Sequence, residues 1–392
     1  MNMRTSRKQK TIGIFFGSRS PEHDISIITA MRVIEGFAKL SSYRAVPVYI
    51  GKNGDWFCGD ALGDIGFFRD AGYEKKLAAY RIASFSFADR KLILYPRARG
   101  WFGSVGPIFL DVAFPCIHGS FGEDGTLQGL FEMAGVPYIG CGVLASALAM
   151  SKTHARRLLR DAGITSVPTC EISRDSFSKN RARAIAEVSR ALAFPLFVKP
   201  NALGSSIGVS RVSSEQELEW ALEVAFQFDT LALAEREVKK PKEVNVLVVG
   251  HKDLAISLPE EPAYHAAFQD FETKYLTKGG TIRQEKSAKT KSIIPAELSR
   301  QRTQEVREVA LRVFRLLDCS GIMRCEFLLD TVSEELFLGE VNTLPGTLYA
   351  HVWEASGIPF PQLLEKLVGF AEERSAEEAA LVRTFSSSVL QK

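Results

Sequence analysis

Short apolar runs alternate with longer amphipathic segments along the first part of the chain. Residues 11–17, 43–50 and 112–117 are each typical of a buried strand, and the periodicity of residues 25–40 predicts a helix. Strands that alternate with helices predict an open α/β sheet, in which ligands bind at the carboxyl ends of the strands. Residues 51–106 lack this regularity, and we interpret them as decoration on the first domain.

The remaining chain continues the pattern with less regular spacing. Further helices are predicted at residues 125–134, 145–162, 215–228 and 296–317. Gly163 is expected to cap the second of these helices. Further strands are predicted at residues 194–200 and 243–249, with a final pair around 324–327 and 339–346. A polar stretch at residues 268–292 is expected to be a loop, and the residues from 374 onward a peripheral tail.

Composition narrows the class of protein. The 392 residues suffice for two or three domains, and 46% of them are hydrophobic. A net charge of +3, with Lys and Arg dispersed, excludes the basic stripe of a nucleic-acid-binding protein. No run approaches the length of a membrane span, and no signal-like segment follows the basic residues 1–10. We therefore expect a cytoplasmic protein that binds neither nucleic acid nor membrane.

The six cysteines are scattered and form no C-x-x-C pair. This spacing favours buried free thiols over disulfides or zinc ligands.

The final strand pair carries the first candidate chemistry. Glu326, Glu340 and Asn342 offer hard oxygen ligands, and Arg324 lies among them in the pattern. Mg²⁺ takes one or two protein carboxylates together with phosphate oxygens and water, so this set predicts an enzyme of phosphoryl transfer. The plainer alternative is a solvated strand pair that ends in a Pro-Gly turn.

A glycine-serine loop at residues 204–208 follows the predicted strand that contains Lys199. Its backbone N–H groups and the hydroxyls of Ser205 and Ser206 could cover a phosphate beside the lysine, although such a string by itself favours a structural turn. Lys152 begins a predicted helix, where it could also face a phosphate, but a solvated lysine is the plainer interpretation. The chain has no G-x-x-x-x-G-K-[ST] motif, which excludes a P-loop enzyme.

Two polar motifs follow predicted strands directly. His118 opens a glycine-rich loop whose position favours a ligand-binding role. Glu22 could hold an ammonium group, but local physics favours a helix cap at this position.

These motifs, in this order, resemble the D-alanine–D-alanine ligases of the ATP-grasp superfamily. The matching segments are residues 17–24, 118–129, 140–152, 194–209, 274–275, 324–327 and 340–346. The resemblance implies an amino-terminal α/β substrate-binding domain at residues 1–140, followed by a two-domain ATP-grasp fold of the α+β type. The central ATP-grasp subdomain would span residues 141–238, the carboxyl-terminal metal-binding domain 239–371, and a peripheral tail 372–392.

The family phosphorylates one D-alanine with ATP, and the amine of a second D-alanine then attacks the acyl phosphate. By resemblance, Glu22 would hold the first ammonium group and His118 would line the same subsite. Arg324 and the backbone near Gly346 would stabilise the tetrahedral intermediate, and Ser205 and Tyr275 would complete the catalytic set.

The resemblance also implies the ligands of the cofactors. Mg²⁺, or alternatively Mn²⁺, would be bound by Glu326, Glu340 and Asn342. The residues implied for ATP are Lys152, Lys199, Ser205, Ser206, Glu235, Val238 and Lys274. Glu235 and Val238 match the hinge that receives adenine, although Glu237 stands where an apolar or aromatic residue is expected. Lys274 and Tyr275 match a mobile loop that excludes water from the acyl phosphate. The family suggests a homodimer.

Two departures from the family pattern bear on this implied function. Glu326 replaces the aspartate of many relatives, which keeps the charge and the oxygen ligands. Residues 347–352 form a shorter segment than in relatives and lack the serine that binds the acceptor carboxylate. Thr347, Tyr349 or His351 could replace that serine. An amino-acid ligase with another acceptor amine therefore stays open, as does a nucleotide-binding regulator without catalysis, although Tyr275 favours an amine acceptor over a hydroxy acid.

Overall fold

The computed structural model describes residues 9–97, 106–262, 292–387 and 389. Its helices and strands fall into three successive regions, each built around sheets of its own. The predictions for Lys274, Tyr275 and almost all of the polar stretch at 268–292 concern residues outside the described part of the chain.

The first region has an α/β sheet with the predicted parallel strands. Its elements are β1 (Lys10–Gly17), α1 (His23–Phe37), β2 (Tyr43–Ile50), β3 (Trp56–Cys58), α2 (Ile65–Arg69), α3 (Tyr73–Lys76), β4 (Ile82–Ala88), β5 (Lys91–Pro96), β6 (Ile108–Leu110), β7 (Val112–Pro115) and α4 (Thr126–Ala134). The sheet has the order β3-β2-β1-β7, and β1 runs parallel to both β2 and β7. The loops after β1 and β7 therefore meet at one edge of the sheet.

The expectation that residues 51–106 are irregular decoration is wrong. Strands β4, β5 and β6 form a second, antiparallel sheet. Leu92 and Leu94 of β5 are fully buried and belong to the same apolar cluster as Phe15 and Val48 of the first sheet. This segment therefore contributes to the core of the region.

The second region holds an antiparallel sheet. Its elements are α5 (Val143–Met150), α6 (Lys152–Asp161), β8 (Thr169–Ser173), α7 (Arg174–Lys179), α8 (Arg181–Ala191), β9 (Leu196–Pro200), β10 (Ser210–Val212), α9 (Glu215–Ala225) and β11 (Leu231–Arg236), and the sheet order is β10-β9-β11-β8. The prediction of one helix over residues 145–162 is wrong, since the chain breaks at Ser151. The side-chain oxygen of Asn201 accepts from the backbone N–H of Thr153 at 2.9 Å, which satisfies a donor at the start of α6. Gly163 follows α6 with φ +70°, as predicted for a cap.

The third region completes the fold. Its elements are β12 (Pro241–Gly250), β13 (Leu254–Ile256), α10 (Arg300–Leu316), β14 (Gly321–Asp330), β15 (Leu336–Asn342), α11 (Ala350–Ala355) and α12 (Phe360–Ala379), with the antiparallel sheet order β13-β12-β14-β15. Helix α12 packs its buried leucines into a cluster that also contains residues of α1. The helix runs past residue 371, and Arg374 and Ser375 are buried, so the peripheral tail begins later than expected.

In the described part of the chain, no helix is both long enough and apolar enough to cross a membrane. All six cysteines are free thiols; five are buried and Cys170 is half-buried.

Candidate active site

Glu22 lies where the loop after β1 meets the glycine-serine loop after β9. It is only 4% exposed, and the Ser205 hydroxyl donates to its Oε1. Its other oxygen, Oε2, is buried and has no hydrogen-bond partner among the described residues. Although Glu22 stands at the N-cap position of α1, its side chain makes no capping hydrogen bond. The local interpretation as a helix cap is therefore wrong, and one carboxylate oxygen is available to a ligand.

Two glycines allow backbone to approach this carboxylate closely. A Cβ atom at Gly119 would lie 2.6 Å from Glu22 Oε2, and one at Gly204 would lie 3.1 Å from it. Gly119 also has φ +71°, which side chains disfavour. The lack of a side chain at both positions therefore lets the loops that follow β7 and β9 approach Glu22 closely.

Burial raises the pKa of Glu22, and the nearby carboxylate of Glu123 raises it further. His118 and the hydroxyl of Ser205 act in the opposite direction. A cation placed at Glu22 Oε2 would relieve this repulsion, so the position suits an ammonium group better than a second anion.

His118 is buried beside Glu22 and makes contacts through both its backbone and its ring. Its backbone N–H donates to Ser26 Oγ at 2.9 Å, and its carbonyl accepts from Ser20 at 2.7 Å. Its Nε2 lies 2.8 Å from Thr29 Oγ1, and its Nδ1 lies 3.8 Å from Glu123 Oε2. The imidazole is therefore fixed in the pocket wall.

Lys152 is not the solvated lysine that its sequence position favours. It is 9% exposed, donates to the carbonyl of Leu203 at 2.6 Å, and lies 3.0 Å from Glu340 Oε1. Burial opposes ionisation of Glu340, but Lys152, Lys199 and Arg324 outweigh it and lower the pKa of Glu340 to about 2. Lys152 and Glu340 thus join helix α6 to strand β15.

A second buried ionic cluster lies on the second region's sheet. Glu235 of β11 is paired with Lys199 of β9 at 2.7 Å and also with Arg156 of α6. Burial opposes the charge of Glu235, yet the two cations hold the pKa of this carboxyl below its usual range. Burial lowers the pKa of Lys199. Sequence reasoning missed Arg156, although its i+4 spacing from Lys152 places both cations on one helical face.

Two other nucleotide-site candidates are less informative. Val238 is buried and packs with Val167 and Phe337. Ser206 lies in the loop with φ +58°, next to Ser205 at +53°.

The candidate metal ligands converge across strands β14 and β15. Glu326 is paired with Glu340 and Arg324 with Asn342, while a bulge after Glu326 accommodates Gly339. The bulge lets both carboxylates stand opposite each other. Asn342 Nδ2 is buried without a hydrogen-bond partner among the described residues. Mg²⁺ would be held by the carboxylates of Glu326 and Glu340 and by the side-chain oxygen of Asn342, and this set of oxygens fits an ion that takes its other ligands from phosphate and water.

Arg324 faces the turn at Gly346–Tyr349. Its guanidinium donates to the Tyr349 hydroxyl and, at 3.2 Å, to Glu326 Oε2. Its Nε is buried with no hydrogen-bond partner among the described residues. Sequence reasoning missed Glu260, which lies 2.7 Å from the Nε2 of His351. The structure therefore pairs Arg324 with Tyr349 in the third region and places Glu22 beside His118 in the first.

Comparison with known proteins gives matches over most of the chain. The family model described as D-ala D-ala ligase N-terminus matches residues 11–141, and the one described as D-ala D-ala ligase C-terminus matches residues 158–369. A D-alanine–D-alanine ligase from Thermosipho melanesiensis is 36% identical over 367 residues, which are 93% of this chain and 94% of the relative.

Solved structures agree with these sequence matches. The D-alanine-D-alanine ligase from Coxiella burnetii has a TM-score of 0.76 at 27% identity, covering 96% of this chain and 97% of its own. The VanG D-Ala:D-Ser ligase from Enterococcus faecalis has a TM-score of 0.73 at 30% identity, covering 93% of this chain and 100% of its own.

Proposed function

Because the chain belongs to the D-alanine–D-alanine ligase family of ATP-dependent ligases, we propose that it joins two D-alanine molecules for peptidoglycan precursor synthesis. One observation carries this proposal: the unpartnered Oε2 of Glu22 lies in the same pocket region as the Lys152–Glu340 pair. A site that holds an ammonium group next to groups for phosphate and metal suits phosphorylation of an amino acid.

In the first step, Glu22 binds the ammonium of the donor D-alanine and His118 lines its subsite. The donor carboxylate attacks the γ-phosphorus of ATP, so a C–O–P linkage forms as the bond to ADP breaks. Lys152 and Lys199 neutralise phosphate charge, and Ser205 and Ser206 cover the phosphates. Glu326, Glu340 and Asn342 would hold the divalent ion, Mg²⁺ or Mn²⁺, which supplies further charge neutralisation when bound.

In the second step, the amine of the acceptor attacks the acyl carbon. The new C–N bond forms, the C–O bond to phosphate breaks, and the amine loses a proton. Arg324 and the backbone N–H near Gly346 stabilise the oxyanion of the tetrahedral intermediate. By the family match, Glu235 and Val238 would receive adenine, and Lys274 and Tyr275 would exclude water from the acyl phosphate.

A second candidate function differs only in the acceptor amine. Residues 347–352 lack the family serine, and the structural relatives include a D-Ala:D-Ser ligase. Phosphate release is to be measured with D-alanine alone and then with D-alanine plus a panel of second amino acids, including D-serine. Turnover on D-alanine alone supports the first candidate, whereas turnover that requires another amine supports the second.

The carboxylate of Glu340 gives a sharp test of catalysis. We expect Glu340→Ala to lower the rate of ligation by at least a hundredfold (~3 kcal/mol or more), because it loses a metal ligand and the partner of Lys152. Glu335→Ala, whose side chain is 59% exposed beside the same strand, should leave the rate unchanged. Equal activity of both variants would contradict the metal assignment, and a wild-type chain that binds ATP without ligating any amine would indicate a regulator.

We further propose a cytoplasmic homodimer, as the family suggests. Removal of divalent ions with a chelator, followed by addition of Mg²⁺ or Mn²⁺, measures the metal requirement, and sedimentation of the purified chain measures its oligomeric state.

A further inference from the structure

We propose that Thr29 is a positioning residue that fixes the tautomer of His118 in the donor subsite and, through the same hydroxyl, anchors the turn at Gly346–Tyr349 on the acceptor side. The geometry is independent of the reaction, but the terms donor and acceptor rest on the proposed function. Thr29 lies on α1, outside the residues that the family resemblance singles out.

The Thr29 hydroxyl is fully buried between two segments that are distant in sequence. Its Oγ1 lies 2.8 Å from His118 Nε2, in the loop after β7. The same oxygen accepts from the backbone N–H of Thr347 at 3.2 Å, a residue 318 positions away. One side-chain oxygen therefore bridges the first and third regions of the fold.

The backbone N–H of Thr347 fixes the direction of one of these hydrogen bonds, and the carboxylate of Glu123 favours one direction for the other. The Thr347 N–H can only donate, so Thr29 Oγ1 accepts there. The single hydroxyl hydrogen of Thr29 is then free to donate to His118 Nε2. An imidazole that accepts at Nε2 carries its proton on Nδ1, and this atom faces the carboxylate of Glu123 at 3.8 Å. The carboxylate of Glu123 favours the proton on Nδ1, which leaves Nε2 to accept from Thr29, and the two contacts together select the Nδ1–H tautomer of His118.

The turn at Gly346–Tyr349 needs such an anchor because its backbone is strained. Thr347, Leu348 and Tyr349 have φ angles of +48°, +55° and +49°, a run of left-handed residues without a glycine among them. Thr29 holds the first of the three, and Arg324 holds the hydroxyl of the last. Loss of the Thr29 hydroxyl would release one end of the turn while leaving the Arg324 contact in place.

Thr29→Val tests the proposal because valine keeps the shape and removes the hydroxyl, and Thr29→Ser is the matched control that keeps it. For Thr29→Val we expect the KM for each D-alanine to rise and kcat/KM to fall about tenfold, with the KM for ATP unchanged, since two hydrogen bonds of ordinary strength are lost. Thr29→Ser should stay within about twofold of the wild type. Reduced kcat at unchanged KM for both D-alanines would indicate only a loss of folded enzyme and would overturn the proposal.

The tautomer is measured without any turnover. In ¹⁵N-histidine-labelled protein, the nitrogen shifts of His118, assigned with His118→Gln, distinguish the two tautomers. We expect the Nδ1–H form in the wild type and in Thr29→Ser, and a mixture in Thr29→Val. A wild-type His118 in the Nε2–H form overturns the proposal even if Thr29→Val fails to fold. This readout stands if the chain proves inactive on D-alanine, so failure of the proposed function is separable from failure of the Thr29 assignment.

Discussion

At the scale of single residues, Glu22 is a buried carboxylate with one oxygen that a ligand can bind. Its Oε1 is engaged by Ser205, and its Oε2 has no hydrogen-bond partner among the residues described. Burial and Glu123 raise the pKa of this carboxyl, so it gives up its proton less readily than a solvated glutamate does. Only the ionised form attracts an ammonium group, which ties substrate binding to pH.

We expect the KM for the donor D-alanine to rise as the pH falls through the raised pKa of Glu22. Glu22→Gln should raise this KM about tenfold to a hundredfold and remove the pH dependence, because the charge-assisted hydrogen bond is lost at every pH. Glu35→Gln, an exposed acid on the same helix, is the control. The pKa shift also has a stability consequence: an acid with a raised folded pKa makes the fold less stable as the pH rises from the ordinary value to the raised one. A Glu22→Gln variant that keeps the wild-type pH profile would contradict the role.

The partners of single residues explain which roles were predictable. Glu326 and Glu340 could be paired from sequence because both belong to predicted neighbouring strands. Glu22 and Lys152 were interpreted locally as a helix cap and a solvated lysine. Their partners Ser205 and Glu340 lie more than 180 residues away in the chain, and local pattern contains no information about such contacts.

At the scale of elements, the cluster of Glu235, Lys199 and Arg156 joins strand β11 to strand β9 and to helix α6. The two cations share one buried carboxylate, which keeps the helix docked on the sheet. Removing the anion would leave two positive charges in the interior without compensation.

We expect Glu235→Gln to lower the free energy of unfolding by about 3–5 kcal/mol in urea titrations. The control is Glu171→Gln, which breaks an ion pair with the half-exposed Arg157 and should cost less than about 1 kcal/mol. Since the pKa of Glu235 is held below its usual range, the stabilisation is present above the ordinary carboxyl pKa and is lost as the pH falls. A similar loss of unfolding free energy in both variants would show that the buried cluster stabilises the fold no more than an exposed ion pair does.

Helices and strands were predicted more accurately than the positions at which they are interrupted. The parallel strands β1, β2 and β7 follow from continuous apolar runs. The break between α5 and α6 was missed because the helical periodicity continues across Ser151, whereas the interruption depends on Asn201 from another strand end. The bulge at Gly339 was missed for a similar reason, since a bulge is a property of two paired strands.

At the scale of the whole molecule, the end of helix α12 ties the third region to the first. Arg374 donates to the carbonyls of Gly140 at 2.6 Å and Tyr138 at 2.9 Å, and its guanidinium lies 4.1 Å from the Tyr138 ring centroid. Arg90 donates to the Ser375 carbonyl at 2.5 Å. The order of the regions was predictable from the order of the motifs. The contacts of Arg374 and Ser375 with the first region were not, because residues 372–392 carry no motif.

We expect truncation after Ala371 to lower the free energy of unfolding by about 2–4 kcal/mol, because it removes the buried hydrogen bonds of Arg374 and Ser375. Truncation after Leu381 keeps α12 whole and removes residues 382–392, of which those that the structure describes are exposed, so stability should be unchanged. Arg374→Met in the full-length chain isolates the contribution of the guanidinium. Calorimetry of the three variants measures their stability. Equal stability of the two truncated chains would contradict a stabilising contact between the end of α12 and the first region.

The contact between Ser205 and Glu22 has a thermodynamic consequence under the proposed assignment. Ser205 belongs to the loop that covers the nucleotide phosphates, and Glu22 binds the donor amine, so a single hydrogen bond is common to both ligands. Any movement of the loop toward phosphate changes the affinity for D-alanine by some factor. Linkage then requires D-alanine to change the affinity for ATP by that same factor. Binding of either substrate therefore changes the affinity for the other, and either order of addition gives the same total free energy of binding.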